Sequence, residues 1–317
     1  MADQAPFFVV GAGRSGSTLL RLILAGHSRL HIPPETWFLR SLVRDFPLTG
    51  ALTQPQVERA IRTMVQHERW PDMGLPEDAL RRQAAELVKP GLVDLIDLVH
   101  RHLLNVSGKQ RLGDKTPHYS AIVPELATLY PEARFVYLVR DGRDVAISWI
   151  DAGWERYYEQ GFEWPAAVAH LRRDRAAYPE RVLEVHYEDM VRQPEEVARR
   201  ICDFLGEAFE TTMLDWQDRT ALVASRDRHL HARLQQPLSE NAIATWRHRL
   251  SAVACFSMEA CLNRELVQVN YTLRFSARGW RPLFRLTAEI LRALSPLLRR
   301  GIPYLQNRRM LPRNFYL

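Results

Sequence analysis

Residues 7–20 read Phe7-Phe8-Val9-Val10-Gly11-Ala12-Gly13-Arg14-Ser15-Gly16-Ser17-Thr18-Leu19-Leu20. A buried apolar strand runs into a glycine-rich turn, and a helical pattern follows with Leu19, Leu22 and Ile23 on one side. Strand, glycine turn and helix is the layout in which a helix N-terminus turns its free N–H groups toward an anion. The frame nearly matches the nucleotide-hydrolase loop G-x-x-x-x-G-K-[ST], but Ser17 fills the lysine slot and a cation, Arg14, stands inside the loop. The loop is therefore expected to hold a phosphate-like group in some way other than that of an ordinary ATPase.

Further apolar runs follow the loop. Leu30–Ile32 reads as a short strand closed by Pro33-Pro34. Residues 54–104 read as mostly helical with a break at Pro90-Gly91, and Arg111–Gly113 leads into Asp114-Lys115-Thr116-Pro117. Residues 135–139 and 182–185 are strand-like. Residues 195–205 form a helical pattern with Pro194 near its start and Gly206 just past its end, and 239–250 and 251–266 suggest two more helices. Apolar strands alternating with helices predict an α/β fold: a P-loop three-layer α/β/α arrangement with a central parallel sheet. The expected organisation is one domain over 1–270 and a helical, basic C-terminal extension over 271–317.

Charge supports that division. The chain carries +6 overall, yet ten Arg, no Lys and one acid lie from Arg274 onward, so the other 273 residues hold 33 basic and 36 acidic groups. The body is not expected to bind nucleic acid. In the extension, apolar positions 280, 283, 284, 290, 291, 294, 297 and 298 form a stripe away from Arg281, Arg285 and Arg292. Such a helix suits peripheral contact with an anionic membrane surface, packing on the domain, or a homodimer. The three cysteines, Cys202, Cys255 and Cys261, show no metal-ligand spacing. Cys202 lies in an apolar helical pattern and reads as a buried thiol, which suggests a reducing compartment. The first strand begins so early that no leader is expected, and no apolar run reaches the roughly 18 residues of a membrane span. The expected location is cytoplasmic, with the inner membrane face as an alternative.

A second anion site is expected where residues 135–139 end. Arg140 stands at the carboxyl end of that strand and Ser148 eight residues on, inside the next helix. An arginine fork and a hydroxyl converging there suit a phosphate, while pairing of Arg140 with Asp141 or Asp144 is the plainer alternative.

Together these segments resemble sulfotransferases that use 3′-phosphoadenosine-5′-phosphosulfate (PAPS), in their bacterial and tyrosylprotein-type branch. Gly13-Arg14-Ser15-Gly16-Ser17-Thr18 is similar to the family's P-[KR]-S-G-[TS]-T loop, and Tyr137 through Ser148 to its strand ending in Arg with Ser eight residues later. Tyr187-Glu188-Asp189-Met190-Val191-Arg192-Gln193-Pro194 and Gly113-Asp114-Lys115-Thr116-Pro117 resemble two further landmarks.

The resemblance implies PAPS as co-substrate, 3′,5′-adenosine bisphosphate as product, no metal, and an acceptor hydroxyl on a carbohydrate, a lipid-linked molecule or a tyrosyl or aryl group. It implies that Arg14, Ser15, Gly16, Ser17 and Thr18 hold the 5′-phosphosulfate, and that Arg140 and Ser148 hold the 3′-phosphate. Tyr187 and Arg247, the latter in Thr245-Trp246-Arg247-His248-Arg249, complete the expected cofactor set. Arg247 could equally be a helix-surface residue. Arg14 and Lys115 are expected at the reacting sulfonate, although Lys115 could instead pair with Asp114 in a turn. Glu35 is the expected general base and His118 its competitor.

The aromatic residues 154, 157, 158 and 164 suggest a loop that stacks on a sugar or aryl acceptor, or else a local core. Two other functions remain open at this point: an ATP-dependent small-molecule kinase, and a non-catalytic nucleotide-binding protein at a membrane.

Overall fold

In the computed structural model the described residues are 5–152, 157–223, 234 and 238–275, with backbone only over 157–162. The C-terminal extension from 276, and the aromatic side chains at 154, 157 and 158, lie outside the described residues.

In chain order the elements are β1 (Phe7–Gly11), α1 (Ser17–Ala25), β2 (Leu30–His31), α2 (Leu39–Asp45), α3 (Gln54–Val65), α4 (Glu77–Ala85), α5 (Leu92–Ser107), β3 (Arg111–Lys115), α6 (Val123–Leu129) and β4 (Arg134–Val139). Then come α7 (Gly142–Asp151), α8 (Tyr157–Ala177), β5 (Val182–His186), α9 (Tyr187–Arg192), α10 (Pro194–Leu205), α11 (Trp246–Arg249) and α12 (Ala252–Gln268). The five strands form one sheet in the order β2-β3-β1-β4-β5, and all pairings are parallel.

The sheet is parallel because helices return the chain over both of its faces, so its central strands are apolar on both sides. Alternation along β1 shows this directly. Phe8 and Val10 join the core beneath α2–α6, α8 and α12, whereas Phe7 and Val9 join the core beneath α1 and α10. The result is the expected three-layer α/β fold.

Capping chemistry sets several helix ends. Pro194 opens α10, and Gly206 closes it in the left-handed conformation at φ 78°. Ser251 Oγ accepts from the Ala254 N–H at the start of α12.

Three sequence expectations are corrected. Residues 239–250 do not form one helix: a 3-10 turn at Glu240–Ala242 and the single turn of α11 replace it. Lys115 is the last residue of β3, in register with Val9, rather than part of the following turn. Residues 157–177 are helix rather than loop, and Trp164 is core: its indole N–H donates to the Arg140 carbonyl at 2.8 Å. Packing also continues past residue 270 into the 271–275 segment. Tyr271 donates to Glu188 at 2.7 Å, and Glu259 accepts from the Arg274 and Phe275 N–H groups.

The helix α1 is buried on more sides than its own pattern suggests. The turns over 211–222 cover it, and Arg219 donates to the Leu22 carbonyl at 3.0 Å.

Candidate active site

The site lies at the carboxyl ends of β1, β3 and β4, where the strand order turns back across the sheet. Two glycines shape the loop after β1. Gly11 (φ 148°) leaves no room for a Cβ against the Leu138 carbonyl of β4. At Gly16 (φ 94°) a Cβ would run into the Tyr187 ring. Gly16 precedes α1 without a side-chain cap, and a helix start of this kind turns its first amides toward an anion. Arg14 is held at φ 64°, a conformation that costs a non-glycine residue of order 1–3 kcal/mol and that gathers at functional sites.

Arg14, Ser148, Arg140 and Tyr187 are brought together. Arg14 Nε donates to Ser148 Oγ at 3.3 Å. Arg140 donates from Nη1 to the Arg14 carbonyl at 3.3 Å and from Nη2 to the Ala242 carbonyl at 3.0 Å, with its guanidinium 4.4 Å from the centre of the Tyr187 ring. No ion pair joins Arg140 to Asp141 or Asp144 among the described residues. Asp141 caps α7 and pairs with Arg143, while Asp144 accepts from Thr245 and from the Trp246 N–H. Arg140 Nε and Ser15 Oγ are buried and have no hydrogen-bond partner among the described residues. Buried polar atoms seldom go unpaired, and these two fit a bound anion. Ser17 and Thr18 are buried at the start of α1. Arg247 is exposed, with its guanidinium over its neighbour Trp246; the carbonyl of this segment that reaches Arg140 is that of Ala242.

The second half of the site is a cluster of titratable side chains around Glu35. Lys115 donates to Glu35 Oε1, and the Trp37 indole N–H donates to Glu35 Oε2 at 2.7 Å. Burial pushes the Glu35 carboxyl up, but the Lys115 charge and hydrogen bond, the Trp37 indole and His118 outweigh it, so it titrates below the usual glutamate range. Asp114, the alternative partner for Lys115, instead accepts from Thr36 at 2.6 Å and Thr116 at 2.8 Å, and burial raises its pKa.

His118 pairs through Nε2 with Glu163 at 3.1 Å, stacks at a tilt on Trp37 with ring centres 4.5 Å apart, and keeps Nδ1 buried without a partner among the described residues. Glu163, from α8, also accepts from the Gly13 N–H at 2.9 Å. Glu163 and Trp37 escaped the sequence reading. One signal was present: proline opens the family's loop motif, and Gly13 in that position exposes an N–H that proline lacks.

The profile described as "Sulfotransferase family" matches residues 6–211, so the chain belongs to the sulfotransferase family. It is similar to a putative protein-tyrosine sulfotransferase of Caenorhabditis briggsae, 24% identical over 255 residues that cover 75% of this chain and 79% of that protein. An uncharacterized protein of Aquifex aeolicus is 26% identical over 228 residues, which are 68% of this chain but only 26% of that protein. Among solved structures, the sulfotransferase domain of the Synechococcus PCC 7002 olefin synthase superposes with a TM-score of 0.63 at 24% identity, covering 86% of this chain and 97% of that domain. That likeness shows the shared fold.

Proposed function

We propose that this chain transfers a sulfuryl group from PAPS to an acceptor hydroxyl, with no metal. Sulfuryl transfer is the chemistry of the family to which it belongs. The observation that carries the donor assignment is the pair of buried polar atoms, Ser15 Oγ and Arg140 Nε, that have no partner among the described residues, beside the start of α1. PAPS supplies the sulfuryl group, a 5′-phosphosulfate and a 3′-phosphate. Arg14, Ser15, Gly16, Ser17 and Thr18 would hold the 5′ end. Arg140, Ser148 and Tyr187 would hold the 3′-phosphate, with Arg247 at its rim.

Negative charge grows on the leaving phosphate during such a transfer, and Arg14 and Lys115 are the cations in place to stabilise it. Glu35 is the proposed base. Its carboxylate, kept ionised beside Lys115, receives the acceptor's proton. His118 is placed less well for that role, because Nε2 faces Glu163 and Nδ1 is enclosed. The acceptor is proposed to be a carbohydrate, lipid-linked, tyrosyl or aryl hydroxyl.

A thermal-shift comparison tests the donor. 3′,5′-Adenosine bisphosphate should raise the melting temperature without metal, by mass action on the native state. A shift seen only with Mg-ATP would replace the sulfotransferase reading with a kinase. For the base, Glu35→Gln should keep bisphosphate affinity and lower turnover about 100-fold. Near-native turnover there, with collapse in His118→Ala, would move the role to His118.

A further inference from the structure

Trp37 holds its backbone at φ 56°, where a bulky side chain is a genuine outlier. Its neighbours force that conformation. Thr36 Oγ1 donates to Asp114 at 2.6 Å and lies 2.7 Å from the Tyr119 hydroxyl, and the Thr36 N–H donates to Thr116 Oγ1 at 3.2 Å. Phe38 is buried in the core, and the Leu39 N–H donates to the Tyr119 hydroxyl at 3.1 Å. The chain is pinned on both sides of residue 37, and the strained residue between turns its indole N–H onto Glu35.

We propose that Trp37 is a positioning residue for Glu35: the indole N–H fixes Oε2 while Lys115 fixes Oε1, so the carboxylate is held in one orientation toward the acceptor. This rests on Glu35 being the base. Both carboxylate oxygens are engaged by donors from different segments, and Glu35 remains 23% exposed. Its lone pairs outside those two bonds are what an acceptor hydroxyl can reach. The Trp37 ring also lies against His118, which ties the base to the Glu163–Gly13 link on the donor loop.

The titratable groups facing Glu35 are Lys115 and Asp114 from β3 and His118 from the following turn, with Glu163 behind His118. Trp37→Phe leaves each of these ionisable groups in the chain and removes the N–H together with part of the ring that lies against His118. Removing a donor that favours the charged form raises a carboxyl pKa.

The test uses the full chain labelled with [13Cδ]glutamate and saturated with 3′,5′-adenosine bisphosphate, the Glu35 signal being assigned by its loss in Glu35→Gln. In the parent protein the signal should titrate below the ordinary glutamate value. In Trp37→Phe the midpoint should rise by about one pH unit, the share of one charge-assisted hydrogen bond. If Trp37→Phe no longer gives a bisphosphate-induced thermal shift, benzothienylalanine at position 37 keeps the ring shape without the N–H and takes its place. An unchanged midpoint overturns the proposal. A Glu35→Gln enzyme with near-native turnover also overturns it, but through the base assignment, and the two failures are told apart because the titration does not depend on turnover.

Discussion

Arg140 shows how a single side chain separates two readings of the same sequence. A strand-end arginine beside two aspartates is ordinarily an ion pair, yet here both aspartates are taken by other donors. That leaves a guanidinium stacked on Tyr187 with one buried N–H unspent. For the proposed role at a 3′-phosphate, Arg140→Ala should weaken 3′,5′-adenosine bisphosphate binding roughly 10- to 100-fold, the share of a charge-assisted bond, while changing 5′-AMP affinity little. Isothermal titration of both nucleotides measures it, and equal losses would contradict the assignment. Arg140 and Ser148 were singled out in the sequence by their offsets from a strand end, and Lys115 and Glu35 by the resemblance to the family's members. Trp37 and Glu163 were not, because a tryptophan two residues past a glutamate and a carboxylate 150 positions from its loop partner leave no local pattern.

Among the elements, α12 depends most on a buried charge. Arg143, at 1% exposure, is sandwiched against the Trp246 ring at 3.7 Å and pairs with both Asp141 and Glu259, the latter fully buried. Glu259 also collects the Arg274 and Phe275 N–H groups, so one carboxylate docks α12 and the 271–275 segment onto α7. Breaking a buried pair by removing one partner typically costs about 3–5 kcal/mol, since the other charge is left without compensation. Glu259→Ala should lower unfolding stability by that amount in urea titration, and it should do so with bisphosphate affinity nearly intact where the fold persists. A loss under about 1 kcal/mol would show that water replaces the carboxylate. The sequence pattern for α12 was clear. The failed reading of 239–250 as a helix has a physical cause: Asp144 draws Thr245 and the Trp246 N–H inward, and Ala244 is held at φ 55°, which breaks helical propagation.

For the whole molecule, the open matter is the basic extension. Among the described residues no helix is long and apolar enough to cross a membrane. The extension's apolar stripe and arginines still suit a membrane surface, a second subunit or the domain itself. Because Arg274 and Phe275 are anchored to Glu259, a fair deletion starts at residue 276 and removes nine Arg and one Glu. If the extension is a surface anchor, the shortened protein should stay folded and bind the bisphosphate. It should lose co-sedimentation with phosphatidylserine-containing vesicles, and binding by the full chain should weaken as salt rises. An insoluble shortened protein, together with a full chain that ignores vesicles, would show that the stripe covers protein surface instead.

Local sequence determined the strands, the glycine loop after β1 and the strand-end cations, because each depends on near neighbours: apolar periodicity, glycine conformational freedom and the chain turn at a helix start. Only the tertiary structure decided the partners. Lys115 pairs with Glu35 rather than Asp114 because β2 and β3 lie side by side in the sheet and carry residues 35 and 115 out at the same edge. Glu163 reaches Gly13 because α8 crosses over β1. Such pairings join residues 80 and 150 positions apart, and side chains that distant meet only once the sheet order has placed them together.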